Sequence, residues 1–127
     1  MGLLLDSATL IWWVLDSGRL SVAAKHAIRS APRILVSSVT AMELATKLRI
    51  GKLPQVKPLV EAFAAQCSAE GFELLALRHE HALVGGTIPG EHRDPFDRML
   101  AGQAIVEDLT IMSPDLAFDA LGARRLW

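Results

Sequence analysis

Short, almost wholly apolar runs recur along this chain, and each is followed by a stretch with helical character. Residues 2–5 (Gly-Leu-Leu-Leu), 34–36 (Ile-Leu-Val), 72–77 and 109–112 are the four clearest. A strand that shows one face to water alternates apolar with polar residues. These runs do not alternate, so both of their faces expect cover. Strands of that kind, joined by helices through short connections, predict an α/β fold with a parallel sheet covered on both sides. Helices are expected over 7–15, 21–30, 39–50, 56–70, 80–84, 94–107 and 116–121, with a last edge strand over 124–127. Ser21 is placed to cap the second helix. Gly51 is placed to stop the third, whose end collects Lys47, Arg49 and Lys52, the charge that the helix dipole favours there. Gly85-Gly86-Thr87-Ile88-Pro89-Gly90 reads as a loop, and Pro95 suits the first turn of the long helix.

The chain of 127 residues is 51% apolar, enough for one core, and no repeat or linker divides it. Residues 1–127 are therefore expected to form a single domain. Lys and Arg number 13 against 14 Asp and Glu, a net charge of −1. A protein that grips nucleic acid by bulk charge is clearly basic, so any such contact here is expected to be local and assisted by a metal. Cys67 is the only cysteine, which excludes a disulfide framework within the chain and suits a reducing cytoplasm. The opening leucines are cut by Asp6 with no basic residue before them, so no signal peptide is expected. The apolar run at 8–15 is too short to span a bilayer. The expectation is a cytoplasmic protein with no membrane segment.

In open parallel sheets, ligands bind at the carboxyl ends of the strands. Asp6 ends the first strand, Glu43 follows the second, Asp94 and Asp97 open the long helix, and Asp115 follows the fourth strand. All should gather on one edge, with Glu70, Glu73, Glu107 and Asp108 on the other. Several also suit structural work. Asp94 reads as an N-cap with Asp97 at the third helical position, and Thr40-Ala41-Met42-Glu43 fits a capping box. Asp6 interrupts a passage where burial is expected, and a buried charge wants a partner. Crowded carboxylates repel unless a cation sits among them. Oxygen ligands suit Mg²⁺, with Mn²⁺ or Ca²⁺ as substitutes, and Mg²⁺ commonly acts beside a phosphate-bearing substrate.

These stretches also resemble a known family. Leu3-Leu4-Leu5-Asp6-Ser7, the run from Ser38 to Lys47 with Gly51-Lys52-Leu53, His92-Arg93-Asp94-Pro95-Phe96-Asp97-Arg98-Met99-Leu100-Ala101 and Ser113-Pro114-Asp115 are similar to PIN-domain proteins. The likeness is greatest to the VapC-type toxins of bacterial toxin–antitoxin pairs. It covers nearly the whole chain, and the His92 to Arg98 stretch is its most specific part. The resemblance implies a three-layer α/β/α sandwich around a short, mostly parallel sheet. It implies an endoribonuclease dependent on Mg²⁺ or Mn²⁺, often a homodimer, blocked by a cognate antitoxin. Its acidic set falls on Asp6, Glu43, Asp97 and Asp115, with Asp94 beside the metal as a cap. Met42 stands where an aromatic residue is frequent, and Ser113-Pro114-Asp115 replaces a Thr-x-Asp pattern. Gly102 costs the long helix roughly 1 kcal/mol against alanine, a cost that close packing would explain.

On that reading Asp6, Asp97 and Glu43 hold one metal, and Asp115 completes the shell or binds a second ion. The metal activates water for attack on a phosphodiester. Lys47, Arg93 and Arg98 are candidates to meet the RNA phosphates, with Arg124 and Arg125 behind them. Each also suits an ordinary surface or ion-pair role. Ser7 and Ser113 are placed to orient water or to cap turns. His92 beside the motif reads as a loop residue rather than a metal ligand. Trp12 and Trp13 are adjacent on one helix, so either both serve the core or one is left for an interface. Two rivals remain: a PIN nuclease in RNA processing without a toxin role, and a non-catalytic binding module. A dehalogenase-type phosphotransferase wants Asp-x-Asp where Asp6-Ser7-Ala8 stands, and a receiver domain wants an Asp after the third strand, where none lies.

Overall fold

The computed structural model describes residues 2–127; Met1, the first residue of the expected domain, lies outside them. The chain runs β1 (Gly2–Leu5), α1 (Ser7–Val14), α2 (Val22–Ser30), β2 (Arg33–Ser37) and α3 (Ser38–Arg49). A single turn of 3-10 helix, Pro54–Val56, leads into α4 (Lys57–Glu61), α5 (Phe63–Ala69), β3 (Glu73–Leu75) and α6 (His79–Thr87). Then come α7 (Pro95–Glu107), β4 (Thr110–Met112), α8 (Ala117–Ala120) and β5 (Arg125–Leu126). The five strands form one sheet in the order β3-β2-β1-β4-β5, and every pairing is parallel.

The unalternating apolar strands are explained by what they touch. Successive side chains on a strand point to opposite faces. Leu3 and Leu5 of β1, Ile34 and Val36 of β2 and Met112 of β4 pack into one core, with Leu10 of α1, Ala24 and Ile28 of α2 and Leu59 of α4. Leu4, Leu35 and Ile111 face the other way, into a second core with Leu100, Ala101 and Ala104 of α7 and Phe118 of α8. The sheet is thus the middle of three layers. Trp12 and Trp13 are both half-buried against the first core. Trp12 meets Trp127 edge-on at 5.7 Å, and the Trp13 indole donates to Glu70 at 2.9 Å.

Three local expectations are corrected. Helix 56–70 is broken, because Ala62 leaves helical geometry (φ −130°, ψ 38°) between α4 and α5. The capping residue of α3 is Ser37, whose hydroxyl accepts from the Val39 N–H at 2.9 Å, so Thr40 lies inside the helix and the predicted box is absent. Gly85, Gly86 and Thr87 are not loop but the last turn of α6. The reason for Gly85 is a close crossing of α6 on α7. A Cβ on Gly85 would stand 2.3 Å from the Arg98 carbonyl oxygen, and one on Gly102 2.3 Å from that of His81. No side chain fits there, so the glycines mark contact between two helices.

The His81 ring, fully buried at the start of α6, reinforces that crossing. It accepts from the Arg78 N–H at Nδ1, which leaves Nε2 to donate to Glu107 of α7 at 3.1 Å. No helix among the described residues is long and apolar enough to cross a membrane.

Candidate active site

The chain winds from β1 outward through β2 to β3, then returns to the other side of β1 with β4 and β5. The topological switch therefore lies between β1 and β4, and the region beyond those strand ends is where open parallel sheets bind their ligands. Asp6 stands at the end of β1 and Ser113 at the end of β4. Their backbones are tied by the Asp6 N–H to the Met112 carbonyl at 3.3 Å, and the Thr9 hydroxyl donates to the same carbonyl at 2.9 Å.

Asp6 is 8% exposed and both its oxygens are engaged. Oδ1 accepts from the Thr9 N–H at 2.9 Å, which makes Asp6 the N-cap of α1, a structural duty beside any other. Oδ2 accepts from the Ser113 hydroxyl at 2.5 Å. The Ser113 oxygen in turn accepts from the Asp115 N–H at 3.0 Å, so one hydroxyl links the two acids. Burial raises the Asp6 carboxyl above the ordinary carboxylate range, the Ser113 and Thr9 bonds oppose that, and the charge of Glu43 adds to it. Glu43 is only 7% exposed, and Lys47 one turn along α3 donates to it at 2.8 Å.

Asp97 approaches from α7. Burial is the main reason its carboxyl is pushed up to about 6; Asp94 and Asp115 push the same way, and His92 opposes them. The His92 Nε2 lies 2.9 Å from Asp97 Oδ2. Asp94 caps α7 as predicted, accepting from the N–H groups of Phe96 at 2.9 Å and Asp97 at 3.4 Å. Asp115 is exposed and closes a turn by accepting from the Ala117 N–H at 2.9 Å.

Contacts and electrostatics thus run Glu43, Asp6, Ser113, Asp115, Asp97, Asp94 without a gap. Four chain segments, from β1, α3, α7 and the β4–α8 loop, supply them. Every expected acid is on this edge, while Glu73 binds Arg33, Asp108 binds Arg124, Glu70 binds Trp13 and Glu107 binds His81. As the side chains stand, no three carboxylate, imidazole or thiol groups among the described residues close round one point. The donor set still fits a hard divalent cation. All of its ligands are oxygens, and two of its carboxyls are held above their ordinary range by burial and mutual repulsion, which added positive charge relieves.

The expected cations divide. Lys47 pairs with Glu43. Arg93 is exposed and has no ion-pair partner among the described residues. The Arg98 guanidinium bonds to the carbonyls of Gly85, Ile88, Gly90 and His92, between 2.5 and 3.1 Å. Arg125 donates to the Ser113 carbonyl at 3.0 Å and pairs with Asp119, and Arg124 turns to Asp108. Ser7 opens α1, half-buried. Sequence reasoning missed the partners: Thr9, the His92 contact to Asp97, and Gln103 of α7, whose buried amide accepts from Ser37 at 2.5 Å. Only Thr9 had a local signal, since a residue three after a helix-capping Asp offers the N–H that is capped.

Comparison with known proteins points one way. The profile of the PIN domain matches residues 3–123. The chain is 27% identical over 113 residues to Ribonuclease VapC22 of Mycobacterium tuberculosis (strain ATCC 25618 / H37Rv), covering 88% of this chain and 85% of that protein. Among solved structures it resembles DNA-bound VapBC from Salmonella typhimurium, with TM-score 0.71 and 22% identity over 99% of this chain and 97% of that one. It also resembles VapBC2 from Rickettsia felis bound to a promoter DNA fragment, with TM-score 0.68 and 17% identity over 100% and 99% of the two chains. At those identities the structural likeness is one of fold.

Proposed function

The chain belongs to the PIN-domain family, and from that premise we propose that it is a metal-dependent endoribonuclease, the toxin of a toxin–antitoxin pair. The observation that carries the reading is the unbroken run of acids at the switch point, drawn from four segments of the chain. Similarity to a ribonuclease by name supports the activity. Similarity to VapBC assemblies supports a cognate antitoxin as partner. A homodimer follows from the family resemblance alone.

Asp6, Glu43 and Asp97, with Asp115 at the rim, would hold Mg²⁺ or Mn²⁺. When bound, the ion supplies positive charge against phosphate oxygens and lowers the pKa of an attacking water. The chain's own residues supply the rest. Ser113 fixes the direction of one Asp6 oxygen, and the N-cap bond to Thr9 fixes the other. His92 balances Asp97. Arg93, exposed beside the acids, is the cation left to meet the RNA backbone, and Lys47 can exchange Glu43 for phosphate once another cation is present.

The test is cleavage of total cellular RNA, with ends mapped, by the protein and its Asp6→Asn variant, each with Mn²⁺ and with chelator. Discrete cuts that need both the metal and Asp6 are expected, the variant falling to background while its fold is kept. A folded Asp6→Asn protein with full activity would sink the assignment. Cutting by both proteins that persists in chelator would instead identify a contaminant.

A further inference from the structure

Resting on that nuclease reading, we propose that Arg98 is a positioning residue: it clamps the loop between α6 and α7 so that His92 is held on Asp97. The sequence marks Arg98 as a candidate for RNA phosphate. The geometry points elsewhere.

Arg98 lies one residue after Asp97 in the first turn of α7, and its side chain leans back toward the helix start, as long side chains on helices do. Its Nε donates to the His92 carbonyl at 2.5 Å. One terminal nitrogen donates to the carbonyls of Gly85 at 3.1 Å and Ile88 at 2.8 Å, and the other to that of Gly90 at 2.9 Å. All three nitrogens are committed, every partner is a neutral carbonyl, and no carboxylate pairs with Arg98 among the described residues.

Two of those carbonyls belong to the end of α6, where helical C=O groups lack internal partners and the dipole favours a cation. The other two belong to the loop that leaves it. One planar fork thus caps α6 and gathers the chain that follows. Lysine cannot reproduce this, because its ammonium is a point charge without the fork.

His92 is then fixed at both ends. Its carbonyl is bound by Arg98, and its ring Nε2 meets Asp97 Oδ2 at 2.9 Å. Pro89, Gly90, Glu91 and Arg93 are exposed or nearly so, and little else restrains this stretch. Because His92 takes Oδ2, it leaves Oδ1 of Asp97 for a cation. The clamp therefore decides which oxygen of this carboxylate serves the site. Release of the loop would leave Asp97 free to rotate.

The test compares Arg98→Lys, Arg98→Gln and Arg93→Gln in Mn²⁺-dependent RNA cleavage, with folding checked by circular dichroism and thermal unfolding. A positioning role predicts that Arg98→Lys loses kcat nearly as far as Arg98→Gln, about tenfold or more, with KM within about twofold and an unchanged salt dependence. Activity kept by Arg98→Lys, with a raised KM and a salt slope reduced by about 1 in Arg98→Gln, would make Arg98 a phosphate contact and overturn the proposal. The wild-type protein gives an arm independent of variants that fail to fold. Its Arg98 Nε–H should exchange slowly with water by NMR, and a resonance that exchanges as fast as that of a surface arginine would overturn the clamp. Wild-type protein that cuts no RNA, despite a slowly exchanging Arg98, would instead remove the nuclease reading on which the role rests.

Discussion

The acidic edge has two halves that are built differently. Asp6, Ser113 and Asp115 stand on the ends of adjacent parallel strands, so sheet hydrogen bonds set their spacing, and Asp6 is deeply buried. Asp94 and Asp97 are delivered by a helical hairpin whose loop is tied down by one arginine and whose helices touch through glycine. The strand-end half inherits precision from the layer that holds the whole fold together. The hairpin half depends on a few contacts between side chains and backbone. Position in a sheet is therefore robust to single substitutions in a way that the hairpin is not.

The sharpest way to break the comparison is Gly102→Val. Its first side-chain carbon would stand 2.3 Å from the His81 carbonyl and 2.8 Å from the Gly85 nitrogen, both of them backbone, so α6 must leave α7. The expected loss is about 3 kcal/mol, in the upper range for overpacking, read by chemical denaturation. A loss below about 1 kcal/mol would mean that the crossing is not tight.

A smaller effect should come from Asp97. Its folded carboxyl titrates at about 6, above the value of about 3.9 of an unfolded chain, so between these the folded state holds the proton more firmly. Stability should therefore fall as pH rises from about 4 to 6, by about 1–3 kcal/mol. Asp97→Asn should flatten that part of the profile and raise stability at neutral pH when no divalent ion is added. An unchanged slope would put the burden on Asp6, whose raised carboxyl acts in the same direction.

The smallest effect is expected from Arg125→Gln. Arg125 supports the strand-end half by its bond to the Ser113 carbonyl and its pair with half-exposed Asp119. About 1 kcal/mol should be lost in thermal unfolding, with cleavage largely kept because the sheet still places Ser113. Damage to catalysis as great as that from Arg98→Gln would erase the distinction between the halves.

The same division governs what could be read beforehand. Apolar strands, the Asp94 cap and the gathering of acids at strand ends follow from local chemistry and one rule of sheet topology, and they were legible. Gly85-Gly86 was not, because a glycine pair signals a turn locally, whereas here the pair is helical and Gly85 answers a helix that arrives later in the chain. Thr40 and Glu43 had the spacing of a capping box, but Ser37 captured the helix start first. His92 and Arg98 find their partners through the folded loop, so no periodicity points to them. The departure of Ala62 from helical geometry has no signal in its neighbours that we can name.

The order of strands bears on how the chain is made. Polypeptides emerge amino end first and begin to fold as they do. Asp6 leaves the ribosome more than a hundred residues before Ser113, the hydroxyl that aims it, and well before β4, the neighbour that flanks it. Because the central strand is synthesised before β2 and long before β4, its neighbour at the switch point, the acidic edge stays incomplete until β4 and Ser113 have emerged. On the proposed function, until then a growing chain carries no finished nuclease beside the messenger and ribosomal RNA that are producing it.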